Sequence, residues 1–373
     1  MKIIIVGQGL VGRSNRPEIK KGLITIPKRI GYLYDKMLSR DFIRETILLA
    51  SRRKRKRRSV RRVLANLDGY TEKLLAMLKT NNFTPSKPKI KQVYDSSSRK
   101  WREIKVVPFF PDSCVHWLCV RVMQPVLMRG MHHWSCASIP GRGGTRAIKQ
   151  IAKMVQQRPK DSKYAAQCDV RKFYDSIPPD GVRKALERKI KDGRFLGLVM
   201  SIIKDGLAIG YYICQWLANY YLETADRLVC DQKGVTCCVR YMDNYTIFGR
   251  SKRELHKTLR ALNAHLQTLG LTLKGDWAVF PVSKRKVDAI GYRFGRNCVI
   301  LRKHTCLRMV RQLRRARKKR RISTKTARAL VARIGRLNVC ASKTLFEKYI
   351  QPVGLERLKG VIRNESTWRC QAG

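Results

Sequence analysis

The chain has 373 residues, of which 44% are hydrophobic, enough apolar material for a globular protein with a sizeable core. Its 81 Lys and Arg residues outnumber 26 Asp and Glu residues and give a formal net charge of +55. Such a charge repels itself unless a polyanion neutralises part of it, so we expect a nucleic acid as partner. The sequence has no run of about 18 apolar residues and no signal-peptide layout at its start, which argues against a membrane partner.

The first residues carry a motif that the surrounding sequence does not support. Gly7, Gly9 and Gly12 follow an apolar run with the spacing of a dinucleotide-binding fingerprint. That fingerprint also requires an acid at the end of a second strand about 20 residues on, whereas a basic stretch follows here. We interpret residues 1–23 as a leader outside the fold, with a dinucleotide site as the alternative.

From Ile24 the pattern is helical, and it includes a cluster of basic residues at Arg52–Arg58; a second cluster lies at Arg314–Arg321. Both lie in helix-forming sequence beside apolar positions, so each is predicted to present a basic stripe to phosphates, with a simply solvated helix face as the alternative. The candidate backbone-binding residues are Arg52, Arg53, Lys54, Arg55, Arg314, Arg315, Arg317 and Lys318. A further short helix is predicted at Leu67–Leu78, and residues 83–89 form a boundary.

Beyond this boundary, strands and helices mix in an α+β pattern. Strands are predicted at Ala165–Val170, Thr236–Tyr241 and Tyr245–Phe248, the last two joined by a corner at Asp243 and Asn244. A helix bearing leucines from Leu255 to Leu269 on one face is predicted to begin at Ser251 and to end at Gly270. Twelve cysteines are scattered without a C-x-x-C pair, which favours reduced thiols and a cytoplasmic location.

Two acidic residues occupy unusual positions in this basic chain. Asp169 ends an apolar strand, and Asp243 lies at the tip of a hairpin. If the two elements are neighbours in one sheet, the carboxylates meet, as oxygen ligands of Mg²⁺ must. A pair of such ions can activate a hydroxyl and stabilise the leaving oxygen in phosphoryl transfer. The alternative is that Asp169 forms an ion pair with a nearby basic residue, Arg171 or Lys172, and that Asp243 simply forms a turn.

Several segments resemble, in order, the reverse transcriptase domain, most closely that of bacterial and phage diversity-generating retroelements. Val93–Asp95, Trp101–Ile104 and Ser135–Gly144 look like the motifs of the fingers, and Cys168–Ile177 looks like the first catalytic motif. The resemblance implies a right-hand fold of fingers, palm and helical thumb. It divides the chain into a basic helical extension at 24–88, fingers and palm at 89–300, and a basic thumb at 301–373.

The resemblance also implies the catalytic residues. Asp169, the carbonyl of Val170 and Asp243 would hold two Mg²⁺ ions, with Mn²⁺ as an alternative ion. Asn244 stands where the family has a second aspartate in its Tyr-x-Asp-Asp hairpin, which weakens the inference of activity. Tyr174 falls at the position that excludes a ribonucleotide 2′-hydroxyl.

Further residues are assigned to the incoming dNTP and to the primer. Ile209-Gly210 and Cys214-Gln215 stand where retroelement enzymes have Ile-Gly and Ser-Gln, so only the cysteine departs from that pattern. An apolar side chain at Ile209 removes an amide near the template, a route to error-prone copying. The remaining assignments are Lys274, Lys100 and Arg102 near the triphosphate, each with a solvated surface residue as the alternative, and Gly291 and Tyr292 in the primer grip.

The expected function is therefore RNA-templated DNA synthesis, error-prone and within a diversity-generating retroelement. The partners are an RNA template, a DNA primer or cDNA and dNTPs, and the resemblance adds a small basic accessory protein. The alternatives are another bacterial or phage reverse transcriptase, serving defence or derived from a group II intron, and a catalytically silent RNA-binding scaffold, which Asn244 supports.

Overall fold

The computed structural model describes residues 29–95 and 100–371, so the leader and its glycine motif lie outside the described residues. Four helices come first: α1 Leu33–Met37, α2 Arg40–Ser51, α3 Arg58–Ala65 and α4 Leu67–Lys79. Helix α2 begins after Ser39, whose Oγ accepts a hydrogen bond from the Phe42 amide, and its residues Ile43 and Ile47 are fully buried. The helix predicted at Leu67–Leu78 is confirmed as α4.

The first basic cluster is not a helix face, contrary to the prediction. Helix α2 ends at Ser51, residues 52–57 form turns, and Arg53 adopts a left-handed backbone with φ of 61°. Arg and Lys favour helices intrinsically, but tertiary contacts override that preference here. Lys54 turns inward and places its ammonium 6.0 Å from the centroid of the Phe109 ring.

A two-stranded antiparallel sheet follows, formed by β1 Lys89–Asp95 and β2 Lys100–Val106. After a short π-helical turn at Phe109–Ser113, helices surround the central sheet. They are α5 Cys114–Met128, α6 Gly144–Gln157, α7 Phe173–Ser176, α8 Pro179–Glu187, α9 Gly193–Ile202, α10 Tyr212–Tyr221, α11 Glu223–Cys230 and α12 Lys252–Thr268. Helix α12 begins after Ser251 and is followed by Gly270 at φ of 73°, as predicted.

The central sheet is antiparallel and has the strand order β4-β5-β3-β6. Its strands are β3 Tyr164–Asp169, β4 Val235–Tyr241, β5 Asn244–Gly249 and β6 Ala278–Pro281, which confirms the three predicted strands within one residue at each end. Successive side chains of a strand point to opposite faces. Ala166 and Ile247 accordingly join a core with α5 and α10, whereas Ala165 and Phe248 join a second core with α6.

A three-stranded sheet and a helical region complete the described chain. The sheet has the order β7-β8-β9, with β7 Val287–Ala289, β8 Tyr292–Phe294 and β9 Val299–Leu301. The helices are α13 Lys303–Arg317, α14 Thr324–Ile334, α15 Lys343–Leu345 and α16 Leu355–Gln371, with a 3₁₀ turn at Gly335–Val339 and a π-helical turn at Phe346–Ile350. None of the helices in the described ranges is both long and apolar enough to cross a membrane.

Candidate active site

Asp169 lies at the end of β3, on the wall of a cleft of about 730 Å³. Strand β3 pairs with β5 in a register that sets Asp169 opposite Asn244. The alternation along β3 puts Asp169 on the same face as Gln167, and both side chains line the cleft. The main-chain carbonyl of Asp169 accepts a hydrogen bond of 2.8 Å from the Lys274 amide, which fixes the end of the strand.

Asp243 lies in the tight turn between β4 and β5, next to the end of β3. The amide of Val170 donates a 3.2 Å hydrogen bond to the carbonyl of Asp243, so the turn is joined directly to the residue that follows Asp169. Met242 takes the left-handed backbone that this turn requires, with φ of 58°. The predicted meeting of the two acidic positions therefore occurs, at the head of two paired strands.

A buried arginine stabilises this turn from the interior of the protein. Arg240 is 1% exposed and forms a bidentate ion pair with Asp226 of α11, with N···O distances of 2.6 and 2.7 Å. Its guanidinium also donates to the Asn219 side chain at 3.1 Å and to the Met242 carbonyl at 2.8 Å. Every bond of this group is charge-assisted, and the bond to Met242 fixes the main chain one residue before Asp243.

The electrostatics of the carboxylate pair suit a bound cation. Burial and the neighbouring Asp169 carboxylate raise the pKa of Asp243 to about 6, since two close negative charges disfavour each other. Lys274 forms an ion pair with Oδ2 of Asp169. The other oxygen of Asp169, Oδ1, is buried and accepts no hydrogen bond from the described residues.

These features fit Mg²⁺, a hard cation that binds carboxylate and carbonyl oxygens. Of the expected ligands, Asp169 and Asp243 line the cleft, and Val170 is joined to Asp243 through its amide. Asn244 donates its side-chain amide to Asp243 Oδ1 at 2.8 Å and supplies no third carboxylate. Within the described ranges, no group of three or more His, Cys, Asp and Glu side chains could hold a metal.

Tyr174, the expected sugar-selecting residue, is partly buried in α7. Burial, and to a smaller extent the nearby Cys214 thiol and Asp243 carboxylate, raise the pKa of its hydroxyl. The hydroxyl is therefore neutral at physiological pH, and the ring lies within electrostatic reach of the carboxylate pair.

Ile209 and Gly210 lie where the β1–β2 hairpin meets the body of the protein. The carbonyl of Ile209 accepts a 2.9 Å hydrogen bond from the Lys105 amide. Gly210 has φ of 112°, and a Cβ there would come within 2.3 Å of the Lys105 carbonyl and 2.7 Å of Ile104 Cγ2. Only glycine allows this approach.

Gln215 and Cys214 follow in helix α10. Gln215 is partly buried, and its main-chain carbonyl accepts a 3.0 Å hydrogen bond from Asn219, which also binds Arg240. Cys214 is fully buried, and its thiol accepts a hydrogen bond of 3.4 Å from the Ala208 amide. The residue that departs from the retroelement pattern is thus a packed thiol in the core.

The hairpin carries the expected triphosphate residues. Arg102 lines the cleft, and its Nε donates to Asp95 Oδ2 at 3.1 Å. Lys100 is exposed and lies opposite Asp95 in the strand register, on the same face of the hairpin as Arg102.

The expected primer-grip residues lie at the β7–β8 turn, beside the cleft. Ile290 and Gly291 form the turn between β7 and β8, with φ of 53° and 86°, and Gly291 lines the cleft. Tyr292 is buried, and its hydroxyl donates to the Arg336 carbonyl at 3.0 Å. The Gly291 carbonyl accepts a 3.0 Å hydrogen bond from the Arg302 amide, and the Tyr292 side chain joins this sheet to the C-terminal helices.

The second basic cluster lies on a helix, as predicted. Arg314, Arg315 and Arg317 are exposed on the last turns of α13, and Lys318 follows the helix. The buried residues of α13 are Met309, Val310, Leu313 and Ala316, so the basic side chains form the opposite, solvent-facing side.

The residues that sequence analysis missed are those that hold the turn, namely Arg240, Asp226 and Asn219. The sequence carried a signal for Arg240, because it is a charged residue in a mostly apolar strand. Its partner Asp226 lies on the buried side of α11. Fully buried charges are rare unless they are paired, so an arginine in such a strand predicts a buried acid. The partner itself could not be read from the sequence.

An antiparallel sheet with two carboxylates at its head, flanked by helices and facing a cleft, is the palm of a right-hand polymerase fold. The family model described as "Reverse transcriptase (RNA-dependent DNA polymerase)" matches residues 86–294, more than half of the chain. The chain belongs to the reverse transcriptase family. A search of curated proteins finds no match.

Similar solved structures include two telomerases. One is apo telomerase from Candida tropicalis truncated from its C-terminal domain, with 12% identity and a TM-score of 0.45 over 61% of this chain. The other is telomerase from Candida albicans in complex with a TWJ fragment of telomeric RNA, with 11% identity and a TM-score of 0.47 over 73% of this chain. The aligned region spans 58% of each telomerase chain.

Proposed function

We propose that this protein extends a DNA primer on an RNA template by nucleotidyl transfer at the cleft around Asp169 and Asp243. The carrying observation is the juxtaposition of these carboxylates at the head of β3 and β5, with Asp169 Oδ1 buried and lacking a donor among the described residues. The net charge of +55 suits a nucleic-acid substrate.

In this proposal the primer 3′-hydroxyl attacks the α-phosphorus of a dNTP and pyrophosphate leaves. Asp169, Asp243 and the Val170 carbonyl would hold two Mg²⁺ ions, which would supply charge neutralisation at the triphosphate and the leaving oxygen. Lys274 already pairs with Asp169 and lies within reach of a triphosphate bound there. Arg102 binds phosphate oxygens from the hairpin side of the cleft, and the ring of Tyr174 excludes a 2′-hydroxyl.

Primer extension on a defined RNA template with Mg²⁺ and dNTPs tests this proposal. We expect Asp169→Ala to lose roughly 10³-fold or more of the extension rate, because several kcal/mol of transition-state stabilisation depend on the bound ions. Asp276→Asn is the matched control, since it removes one negative charge from the same cleft and should keep the rate within a few-fold. Equal rates for wild type and Asp169→Ala would refute the proposed site.

A readout independent of activity is Mn²⁺ binding followed by electron paramagnetic resonance. Wild-type protein should bind the ion, and Asp169→Ala should bind it at least about tenfold more weakly, since one of two carboxylates is gone. Unchanged Mn²⁺ binding would place the metal elsewhere.

We also propose that this reverse transcriptase is error-prone and serves a diversity-generating retroelement. Support comes from Ile209-Gly210 and Gln215 in the sequence, and from the partly buried apolar side chain of Ile209 beside the hairpin. Sequencing of cDNA should reveal misincorporation opposite template adenines, which Ile209→Gln should reduce. Errors without an adenine bias would favour another bacterial or phage reverse transcriptase.

Asn244 favours a second candidate, a catalytically silent RNA-binding scaffold. Its amide occupies Asp243 Oδ1 and replaces a negative charge. If wild type does not extend a primer and Asn244→Asp does, the asparagine has disabled a polymerase site. If both fail while RNA still binds, the scaffold is the better description.

A further inference from the structure

A second cavity, of about 300 Å³, lies between the N-terminal helices and the segment that follows β2. It shares no lining residue with the cleft at Asp169. Its lining combines cationic side chains with aromatic and aliphatic ones. The residues that matter for its chemistry are Lys54, Arg57, Arg62, Tyr70, Phe109 and Phe110.

Among the described residues, the cations of this cavity have no acidic partner in an ion pair. Lys54 is partly buried, and its pKa is lowered by burial and, to a smaller extent, by the positive charge of Arg57. Within residues 29–95 and 100–371, no carboxylate forms an ion pair with Lys54, Arg57 or Arg62. A partly desolvated ammonium beside a like charge is unfavourable unless an anion offsets it. The arrangement therefore suits an anionic ligand.

The start of helix α3 adds a second, independent feature. Helix N-termini favour acidic residues and polar caps, because their free amides and helix dipole are positive. Helix α3 instead begins after Arg57, no side chain caps it, and its first turn contains no acid. Arg57 and Ser59 from this turn line the cavity. The Val60 amide already donates to the Arg57 carbonyl at 3.0 Å, and the positive end of the helix dipole beside cationic side chains suits a phosphate.

The aromatic lining residues form a wall that suits a base. The rings of Tyr70 and Phe110 lie edge to face, with centroids 4.8 Å apart and an interplanar angle of 73°. Pro108 and Phe109 continue this wall, and Lys54 lies against the Phe109 ring. Aromatic side chains bind bases by stacking, whatever the base. A ligand with both an aromatic ring and a phosphate matches the aromatic and the cationic residues of this lining.

We propose that this cavity binds a nucleoside phosphate, with the phosphate at the start of α3 between Lys54 and Arg57 and the base against Tyr70 and Phe110. Such a ligand comes either from a single-stranded RNA, which would be held here outside the polymerase cleft, or from a free nucleotide. The site is additional to the proposed polymerase site and does not depend on it.

The test is calorimetric titration of the full chain, in EDTA, with ATP and separately with a short 5′-phosphorylated oligoadenylate. The double variant Lys54→Ala/Arg57→Ala should bind at least about tenfold more weakly than wild type, because two charge-assisted contacts are lost. The matched control is Lys56→Ala/Arg61→Ala, which removes two charges from the same segment outside the cavity. It should stay within about twofold of wild type, since both side chains are exposed, lie outside the cavity and are screened by solvent.

Each outcome has one meaning. Loss specific to Lys54 and Arg57 with both probes supports the site for either source of ligand. Loss with only the oligoadenylate assigns it to an RNA strand, and loss with only ATP assigns it to a free nucleotide. Equal losses in both double variants mean unspecific attraction to a basic surface and overturn the proposal, as does the absence of binding. Tyr70→Leu should weaken binding about fivefold or more if a base stacks on the wall.

Folding is controlled with Lys54→Met. An apolar side chain in place of a desolvated ammonium should leave the melting temperature of the free protein unchanged or higher. The rise in melting temperature that ATP gives to wild type should disappear in this variant. A ligand-induced rise equal to that of wild type would overturn the role of Lys54. Primer extension by wild type is measured separately, so failure of the polymerase proposal and failure of this one are distinguishable.

Discussion

Two β-hairpins of this protein border the same cleft and are built in opposite ways. In the β4–β5 hairpin most side chains are buried, and Arg240 fixes the turn through five hydrogen bonds to Asp226, Asn219 and Met242. In the β1–β2 hairpin nearly every side chain is exposed. Within the described residues, one main-chain hydrogen bond, from Lys105 to Ile209, joins it to the rest of the chain.

We infer from this difference that the β4–β5 hairpin is the fixed side of the cleft and the β1–β2 hairpin is the movable side. The β4–β5 turn carries Asp243, and in the proposed mechanism the carboxylates that hold metal ions require fixed positions. An isolated two-stranded hairpin is marginally stable in water, so β1–β2 depends on its small contact with the body or on a ligand. Arg102 of this hairpin lines the cleft, and in the proposed mechanism it closes on the triphosphate.

The largest expected effect is at the buried ion pair. Asp226→Asn leaves Arg240 charged and uncompensated in the core, which should lower the free energy of unfolding by about 3–5 kcal/mol. Urea unfolding measures this. Arg250→Ala is the control, because it breaks the exposed ion pair with Asp161 just after β5 and should cost about 0–1 kcal/mol.

A separate measurement shows whether Arg240 positions Asp243. Arg240→Lys keeps the charge but loses the bidentate geometry, so kcat for primer extension should fall more than the KM for dNTP changes. If Asp226→Asn unfolds at the same urea concentration as wild type, or if kcat is unaffected by Arg240→Lys, the β4–β5 turn is not held in the way that the geometry indicates.

The strands of the β4–β5 hairpin and the helix α12 that follows could be predicted because their sequence signals are local. Short strand-like apolar runs marked the strands, and Ser251 with Glu254 marked the start of α12. The meeting of Asp169 and Asp243 followed from predicting that their strands were neighbours, and the register Asp169 with Asn244 confirms it.

What could not be predicted depends on contacts distant in the chain. The Arg240–Asp226 pair joins a strand to a helix, and nothing in the periodicity of either names the other. The first basic cluster was predicted wrongly as a helix face because its residues favour helices intrinsically, whereas Lys54 packs on Phe109, more than fifty residues away. Gly210 was assigned by resemblance, and only the structure shows that the Lys105 carbonyl occupies the space of a side chain.

An intermediate effect is expected at the contact between the β1–β2 hairpin and the body. Gly210→Ala would place a methyl group 2.3 Å from the Lys105 carbonyl, so the hairpin must shift. We expect the KM for dNTP in primer extension to rise about tenfold, roughly 1.4 kcal/mol of lost binding. Gly206→Ala is the matched control: Gly206 also has positive φ, of 86°, but a Cβ there meets no atom within 4 Å. Equal effects of both variants would mean that backbone strain, and not the hairpin contact, is responsible.

The smallest effect should come from the aromatic pair near the tip of the β1–β2 hairpin. Trp101 is 69% exposed, and its ring centroid lies 5.3 Å from that of Tyr94 across the strands. Trp101→Ala should cost the hairpin about 0.5–1.5 kcal/mol, seen as faster amide hydrogen exchange in β1 and β2.

The melting temperature of the whole protein should stay unchanged in Trp101→Ala, because the hairpin contributes little to either core. Ile90→Ala on the same face is the control, since Ile90 is 63% exposed and lies opposite Lys105, not an aromatic residue, in the strand register. Faster exchange confined to the hairpin would show that it opens independently of the β4–β5 turn. A fall in the melting temperature would instead make the two hairpins parts of one cooperative unit, and the division between a fixed and a movable wall of the cleft would be wrong.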